Sequence, residues 1–358
     1  MWKWRFICWL IDKTSRTRGK RIARLRKLRD HVSRDLETLV DHWTVVNSIP
    51  KVGHRPASLM GATRRVAVVV QGPLMLENDF TLESFRVHQR SLPGADLILS
   101  TWESSDAKTR ATLDAIEAMG VRVLREPPPT NPGPKNINYQ LVSTLRGVQE
   151  ARRRGAEFVL KTRADTRLGA PDIGQYLVGL AETFPLTSPC RQHRRLLVLD
   201  LCTRLFLPHH PSDILMFGHV DDMIRYWSAP LNPVDVAERK PRTVGDLLAF
   251  PIPEIYLCEH YLNTIAYPFE RTVASWWRVL ADLFLVVDRA TLQFFWPKYA
   301  YLSDQRYGTN DEARNMALCS FREWVSLYAH DAPCPVEINQ LAEARVNAPV
   351  ETGRVTAI

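Results

Sequence analysis

The chain has no Cys-x-x-Cys pair. Its six cysteines (Cys8, Cys190, Cys202, Cys258, Cys319 and Cys334) are scattered along 358 residues. That spacing argues against a zinc ribbon or a thiol redox motif, and dispersed thiols fit a reducing compartment. Nor is there a run of the about 20 apolar residues that a membrane-crossing helix needs. The first apolar stretch is broken by Lys3 and Arg5, and no small-residue cleavage site follows, so a secretory signal is not expected. Beyond the first 30 residues there is no basic face and no RNA-binding motif, so nucleic acid is not an expected partner. No internal repeat is visible.

What is present begins with charge. The formal net charge is +8, yet residues 1–30 hold eleven Lys or Arg against two Asp, a net +9. The remaining chain is close to neutral. In the same segment Trp2, Trp4, Phe6 and Trp9 alternate with cations. Rings of this kind settle at lipid headgroups while cations face anionic lipid. A basic tail packed on the body is the alternative. Apolar residues then recur at helical spacing from Ile22 to Val46, which predicts a long amphipathic helix. The expected organisation is a basic, aromatic helical segment at 1–47 and a linker at 48–65. A ligand-binding half at 66–184 and a second half at 185–270 follow. A C-terminal helical region at 271–334 and a polar tail at 335–358 end the chain. Within that region, "WWRVLADLFLVVDRATLQFFWPKYAYL" (276–302) is expected to be a buried or interfacial helix, since Asp282, Asp288 and Arg289 interrupt it.

With 45% hydrophobic residues the body can bury a sizeable core. "VAVVVQGPL" (66–74) is a continuous apolar run closed by Gly72-Pro73, as a central parallel strand would be. Helix (81–92), strand (95–104), helix (106–120), strand (121–127) and helix (137–155) follow, and "EFVLKTRADTRL" (157–168) is the fourth strand. This alternation predicts an α/β fold with a parallel sheet and helices on both faces.

The fourth strand starts apolar and ends charged. In an extended chain alternate side chains share a face, which would place Lys161, Arg163, Asp165 and Arg167 in one row. Ligands of open α/β sheets sit at the carboxyl ends of the strands. Either this is a solvated edge, or it is a site where cations meet phosphate and Asp165 meets a metal ion or a sugar hydroxyl. Other strand ends supply compatible parts: Gln71 and Gly72, then Thr101 and Trp102. Asn136 and Asn138 stand at the start of a helix, where an anion is favoured; Asn136 is equally readable as a helix cap. His209-His210, between prolines, reads as an exposed turn.

Seven stretches occur in an order that resembles one family: "VVVQGPL", "LILSTWE", "NINYQLVST", "KTRADTRL", "SDILMFG", "DDMIRYW" and "PEIYL". It is the WavE lipopolysaccharide synthesis family of bacterial glycosyltransferase-like proteins, and the likeness spans about residues 66–265. The resemblance implies a GT-A-like fold: a Rossmann-type nucleotide-sugar half joined to a mixed acceptor half. It implies a nucleotide-sugar donor, a lipid-linked or polysaccharide acceptor, and work at the cytoplasmic side of the inner membrane. GT-A enzymes commonly carry Asp-x-Asp after the fourth strand, where two carboxylates hold a divalent Mn or Mg. Here the sequence reads Asp165-Thr166-Arg167. Asp165 is then the one metal-ligand candidate, and Lys161, Arg163 and Arg167 would neutralise the departing diphosphate directly. A carboxylate from the second half would activate the acceptor hydroxyl. Asp222 and Glu254 are the expected catalytic candidates, with Asp221, Glu259 and His260 behind them. A non-catalytic sugar-nucleotide-binding scaffold and a nucleotidyltransferase are the competing readings. "QGPLMLEND" has one glycine and no basic residue, unlike the Gly-rich, Arg-containing loop of the latter.

Overall fold

The computed structural model describes residues 65–186, 190–234, 252–297 and 318–329. The basic segment at 1–47, the linker up to residue 64 and the tail from 335 therefore lie outside the described residues. Three parallel strands open the fold: β1 (Val66–Gln71), β2 (Asp96–Trp102) and β3 (Arg122–Glu126). Between them run α1 (Phe80–Ser91), α2 (Ala107–Ala118) and α3 (Ile137–Arg153), the last leading into β4 (Phe158–Arg163). Asp106 caps α2 by accepting the Thr109 N–H at 2.7 Å, which satisfies one orphan donor of the first turn.

After β4 come β5 (Arg167–Leu168), α4 (Ile173–Thr183), β6 (Leu196–Leu199), β7 (Met216–His219) and α5 (Val220–Trp227). The described part ends with α6 (Pro253–Thr264), α7 (Val273–Leu283), β8 (Phe284–Val287), β9 (Phe294–Phe295) and α8 (Phe321–Ala329). The main sheet has seven strands in the order β3-β2-β1-β4-β7-β6-β8. β1 to β4 are mutually parallel, while β7 runs antiparallel to both β4 and β6. This is the expected parallel half with a mixed half attached, a GT-A-like arrangement.

Helices cover both faces. A Cβ on Gly147 of α3 would collide with Val69, and one on Gly174 of α4 would touch Val66. Val66 and Val69 are three apart in one strand, so their side chains leave opposite faces. β1 and β4 are apolar and fully buried through Ala67–Val70 and Phe158–Leu160, as strands covered on both sides must be.

Two sequence expectations are corrected. The fourth strand does not run to Leu168; it ends at Arg163. Thr166 closes a turn there, donating its N–H to Arg163 O at 3.2 Å and sharing a 2.8 Å hydroxyl bond with Thr162. The expected helix over 276–302 stops at Leu283, because the run Phe-Leu-Val-Val joins the sheet beside β6 as β8. β-Branched residues buried on both sides suit that position better than a helix surface. Among the described residues no helix is long and apolar enough to cross a membrane.

Candidate functional site

The carboxyl ends of β1, β2 and β4 form one edge of the sheet. β1 and β4 pair Val69 with Lys161 and Gln71 with Arg163, so these four side chains leave one face, the α3 face. Gln71 is buried and its Oε1 accepts the Ser143 hydroxyl at 2.8 Å. Gly72 follows with φ +105°, a conformation that favours glycine, and a Cβ there would meet nothing. Thr101 is buried near the end of β2. Trp102 ends that strand, its ring 5.6 Å from that of Tyr139. Asn136, exposed and left-handed at φ 63°, precedes α3 without capping it.

Arg163 and Asp165 pair across the turn that follows β4. Nε donates to Oδ1 at 2.8 Å and Nη2 to Oδ2 at 2.9 Å. Trp296 donates its indole N–H to the same Oδ2 at 3.0 Å, while Arg163 lies over the Trp296 ring at 5.1 Å. Burial alone would raise the Asp165 pKa, but the bonds and charge of Arg163 together with the Trp296 N–H hold it below the usual range.

The turn separates Arg167 from this group. Its guanidinium donates to Ser84 Oγ at 3.1 Å and Phe80 O at 3.3 Å, with the Phe80 ring 4.5 Å away. It helps lock α1 against β5, alongside His88 Nε2, which accepts the Leu168 N–H. Asn138 is also engaged. Its amide donates to Asn131 O and Asn232 O and accepts from Asn232 N at 2.7 Å, clipping the 129–135 loop to the 229–234 segment.

Lys161 is wholly buried. Its ammonium donates to the Asp213 carbonyl and lies 4.6 Å from the Trp227 ring centroid. Burial lowers its pKa to about 7, against the pull of Asp213. Gln140 reaches the same carbonyl at 3.2 Å. Asp213 therefore stands just before β7, its carbonyl held by two side chains. Glu254, in the first turn of α6, belongs to the same cluster. Its pKa is pushed up to about 8, by burial first and then by the charge of Asp213. Its Oε2 is 3.8 Å from His210 Nε2. His210 Nδ1 is 2.9 Å from Cys202 O, and burial with nearby Arg204 pulls its pKa down to about 4. A neutral imidazole thus faces a carboxyl that holds its proton at neutral pH.

Asp222 is not brought to this edge. β7 pairs Lys161 with Met216 and Phe158 with His219, so residues after His219 lie where β4 begins. Asp222 is buried there, accepting N–H bonds from His193 and Arg194 at 2.8 and 3.0 Å and one from Arg225 at 2.9 Å. Its position makes it a brace for that loop, not a partner of Asp165. Glu259 is held by Arg271 at 2.6 and 2.7 Å and by His209 at 3.0 Å. His209 and His210, expected in an exposed turn, are both buried. Asp213 was not singled out from the sequence, although it stands in "SDILMFG"; its signal is an acid placed directly before a buried strand.

The family model described as WavE lipopolysaccharide synthesis matches residues 66–262, from β1 almost to the end of α6. The chain belongs to the WavE lipopolysaccharide synthesis family. The match covers Arg163, Asp165, Asp213 and Glu254 but not Trp296. No curated protein matches the sequence. Among solved structures, a cytidylyltransferase from Leptospira borgpetersenii aligns at 11% identity and TM-score 0.31, covering 80% of this chain and 98% of that one. A mannosyltransferase from Pyrobaculum calidifontis, in complex with GDP-Man and Mn2+, aligns at 12% identity and TM-score 0.32, covering 56% and 59%. Likeness at this level fixes neither donor nor reaction for the WavE chain.

A divalent ion bridging a diphosphate needs hard oxygen donors. At this corner Arg163 and Trp296 hydrogen-bond the Asp165 oxygens, Oδ1 accepting one bond, and the position of a second carboxylate is the buried Arg167. Asp165 alone offers such an ion fewer protein oxygens than a carboxylate pair would.

Proposed function

We propose that this WavE protein is a glycosyltransferase. It moves a sugar from a nucleotide-sugar donor to a lipid-linked or polysaccharide acceptor of the cell surface. The observation that carries this is the pairing of two unlike groups at one sheet edge. A guanidinium–carboxylate corner, Arg163–Asp165, stands at the end of β4. Two further carboxyls, Asp213 and Glu254, share a neighbour with it: the buried Lys161 feels the charges of both and of Arg163 and Asp165.

Sugar transfer leaves a nucleoside diphosphate, whose growing charge needs a fixed cation. Arg163 supplies it, and Asp165 and Trp296 hold its guanidinium in place. Gly72 gives the donor a bare backbone to approach, and Trp102, with the tilted ring of Tyr139 beside it, gives an aromatic surface for its base. The acceptor hydroxyl must lose a proton as it attacks. Asp213 and Glu254 are the two carboxyls offered to receive that proton. Lys161 and Gln140 act on Asp213 by gripping its carbonyl.

Residues 1–47 hold the enzyme to the cytoplasmic surface of the inner membrane, where lipid-linked acceptors are found. This reading rests on the cations and aromatic residues of that segment. The test is a nucleotide-sugar screen by calorimetry and by release of nucleoside diphosphate, run with EDTA and with added Mn2+ or Mg2+. Binding and turnover that persist in EDTA are expected. Binding of nucleotide sugars without turnover on any acceptor extract would favour the scaffold reading, which the missing second carboxylate supports.

A further inference from the structure

At the opposite end of the sheet three side chains with metal-binding atoms converge. His219 closes β7, Asp221 lies in the first turn of α5, and His193 stands in the loop before β6. One ligand atom from each lies within 4.8 Å of the other two. Asp221 Oδ2 is 3.9 Å from His193 Nε2 and 3.9 Å from His219 Nδ1. That is too long for a hydrogen bond. Donors at about 2.0–2.2 Å from one zinc-sized ion stand roughly 3.3–3.8 Å apart in tetrahedral or trigonal geometry. The two gaps to Asp221, 3.9 Å each, lie just above that range, and the third is within 4.8 Å, so a small closing of the side chains would seat the ion.

The surroundings fix the three groups. Asp222 accepts the His193 and Arg194 backbone N–H groups and so anchors the loop. The two imidazoles stack with centroids 4.4 Å apart and planes at 28°. His219 also packs edge-on against Phe158 at 6.1 Å. Arg152 lies 3.4 Å from Asp221 Oδ1, which leaves Oδ2 on the histidine side. A cation behind a carboxylate orients it as the outer partners of metal ligands do. The competing contact is the Asp221 N–H, 3.3 Å from His219 Nδ1, at the long end of hydrogen-bond range.

We propose that His193, His219 and Asp221 bind a divalent transition-metal ion of the zinc class. Two imidazoles and one carboxylate suit Zn2+, Co2+, Ni2+ or Cu2+ and do not suit Mg2+ or Ca2+. The site lies at the far end of β4 from Arg163–Asp165 and takes no part in the chemistry proposed there. Bound, the ion ties the loop before β6 to the junction of β7 and α5.

The experiment uses the full chain stripped with EDTA and dialysed. Zn2+ is titrated against a chromophoric chelator, and Co2+ binding is followed by its visible absorption. One equivalent is expected in the wild type, unaffected by excess Mg2+. His193→Ala, His219→Ala and Asp221→Asn should each weaken it by about tenfold to a hundredfold or more, since loss of mere outer partners already costs that much. His193 is 48% exposed, so its alanine variant should fold, as circular dichroism would verify. Zn2+ should also raise the melting temperature of the wild type but not of these variants. Arg163→Ala should bind zinc like the wild type, whatever its effect on sugar transfer. Equal zinc affinity in the wild type and all three variants, or no binding at millimolar zinc, overturns the proposal.

Discussion

Arg163 and Asp165, two residues apart, grip each other through two parallel hydrogen bonds of 2.8 and 2.9 Å. The planar guanidinium matches the carboxylate fork, which lysine cannot do. Arg163→Ala should lower kcat/KM by about 10²–10³, the usual loss when one fixed charge-stabilising donor is removed. Asp165→Ala should do the same by releasing the guanidinium. Arg163→Lys should not restore the rate. Thermal melts should stay near wild type, because Arg163 is 31% exposed. Wild-type turnover in both alanine variants would make this corner a solvated strand end.

Glu254 ties stability to pH. Its folded pKa is about 8, against an ordinary 4.5. Between those values an unfolded chain releases the proton and the folded chain keeps it, so this group destabilises the fold increasingly as pH rises from 4.5 to 8. Glu254→Gln should therefore melt above the wild type at pH 8, with the difference vanishing near pH 4.5. The same variant, and Asp213→Asn, should slow transfer by about 10²–10⁴ while leaving donor binding nearly intact. A loss of donor affinity beyond about tenfold in both would contradict the assignment of this pair to the acceptor.

Asp222→Ala should act on stability. It removes the acceptor of the partly buried His193 and Arg194 N–H groups, and a fully buried group left unpaired costs about 1–3 kcal/mol, which sets the upper bound for each. The denaturant midpoint should fall, while turnover per folded molecule holds. A large drop in kcat with an unchanged midpoint would return Asp222 to the chemistry.

Removing residues 1–30 takes away a net +9 and four aromatic residues. Sedimentation with vesicles of anionic phospholipid should show the full chain bound and the shortened one free. Binding of the full chain should weaken with salt. Equal partitioning of the two would end this assignment.

The order of strands and helices was legible because each element of the first half keeps its period and its stop signals. Asp106 caps α2 as its sequence announces, and "VAVVVQ" is the buried strand its composition requires. The site was legible in place more than in membership. Alternation correctly put Lys161 and Arg163 on one face, then failed at Arg163, because the Thr162–Thr166 hydroxyl bond is a tertiary feature of the turn and not a period. Arg167 consequently faces α1. Asp213 and Asp222 look equally eligible in one dimension. Only the antiparallel register of β7 against β4 shows that one stands at the sheet edge that carries Arg163 and the other at its opposite.

Gly147 is a gauge for that edge. It lies in mid-helix, where glycine is a poor choice, yet any side chain there would drive into Val69. The helix is thus seated at one depth on the sheet. Tyr139, Gln140 and Ser143 hang from the end of the same helix, up to eight residues or about 12 Å away. The first faces Trp102, the second steadies Asp213, and the third holds Gln71. A single added methyl at position 147 would act as a shim under a lever, lifting all three contacts together without touching any of them.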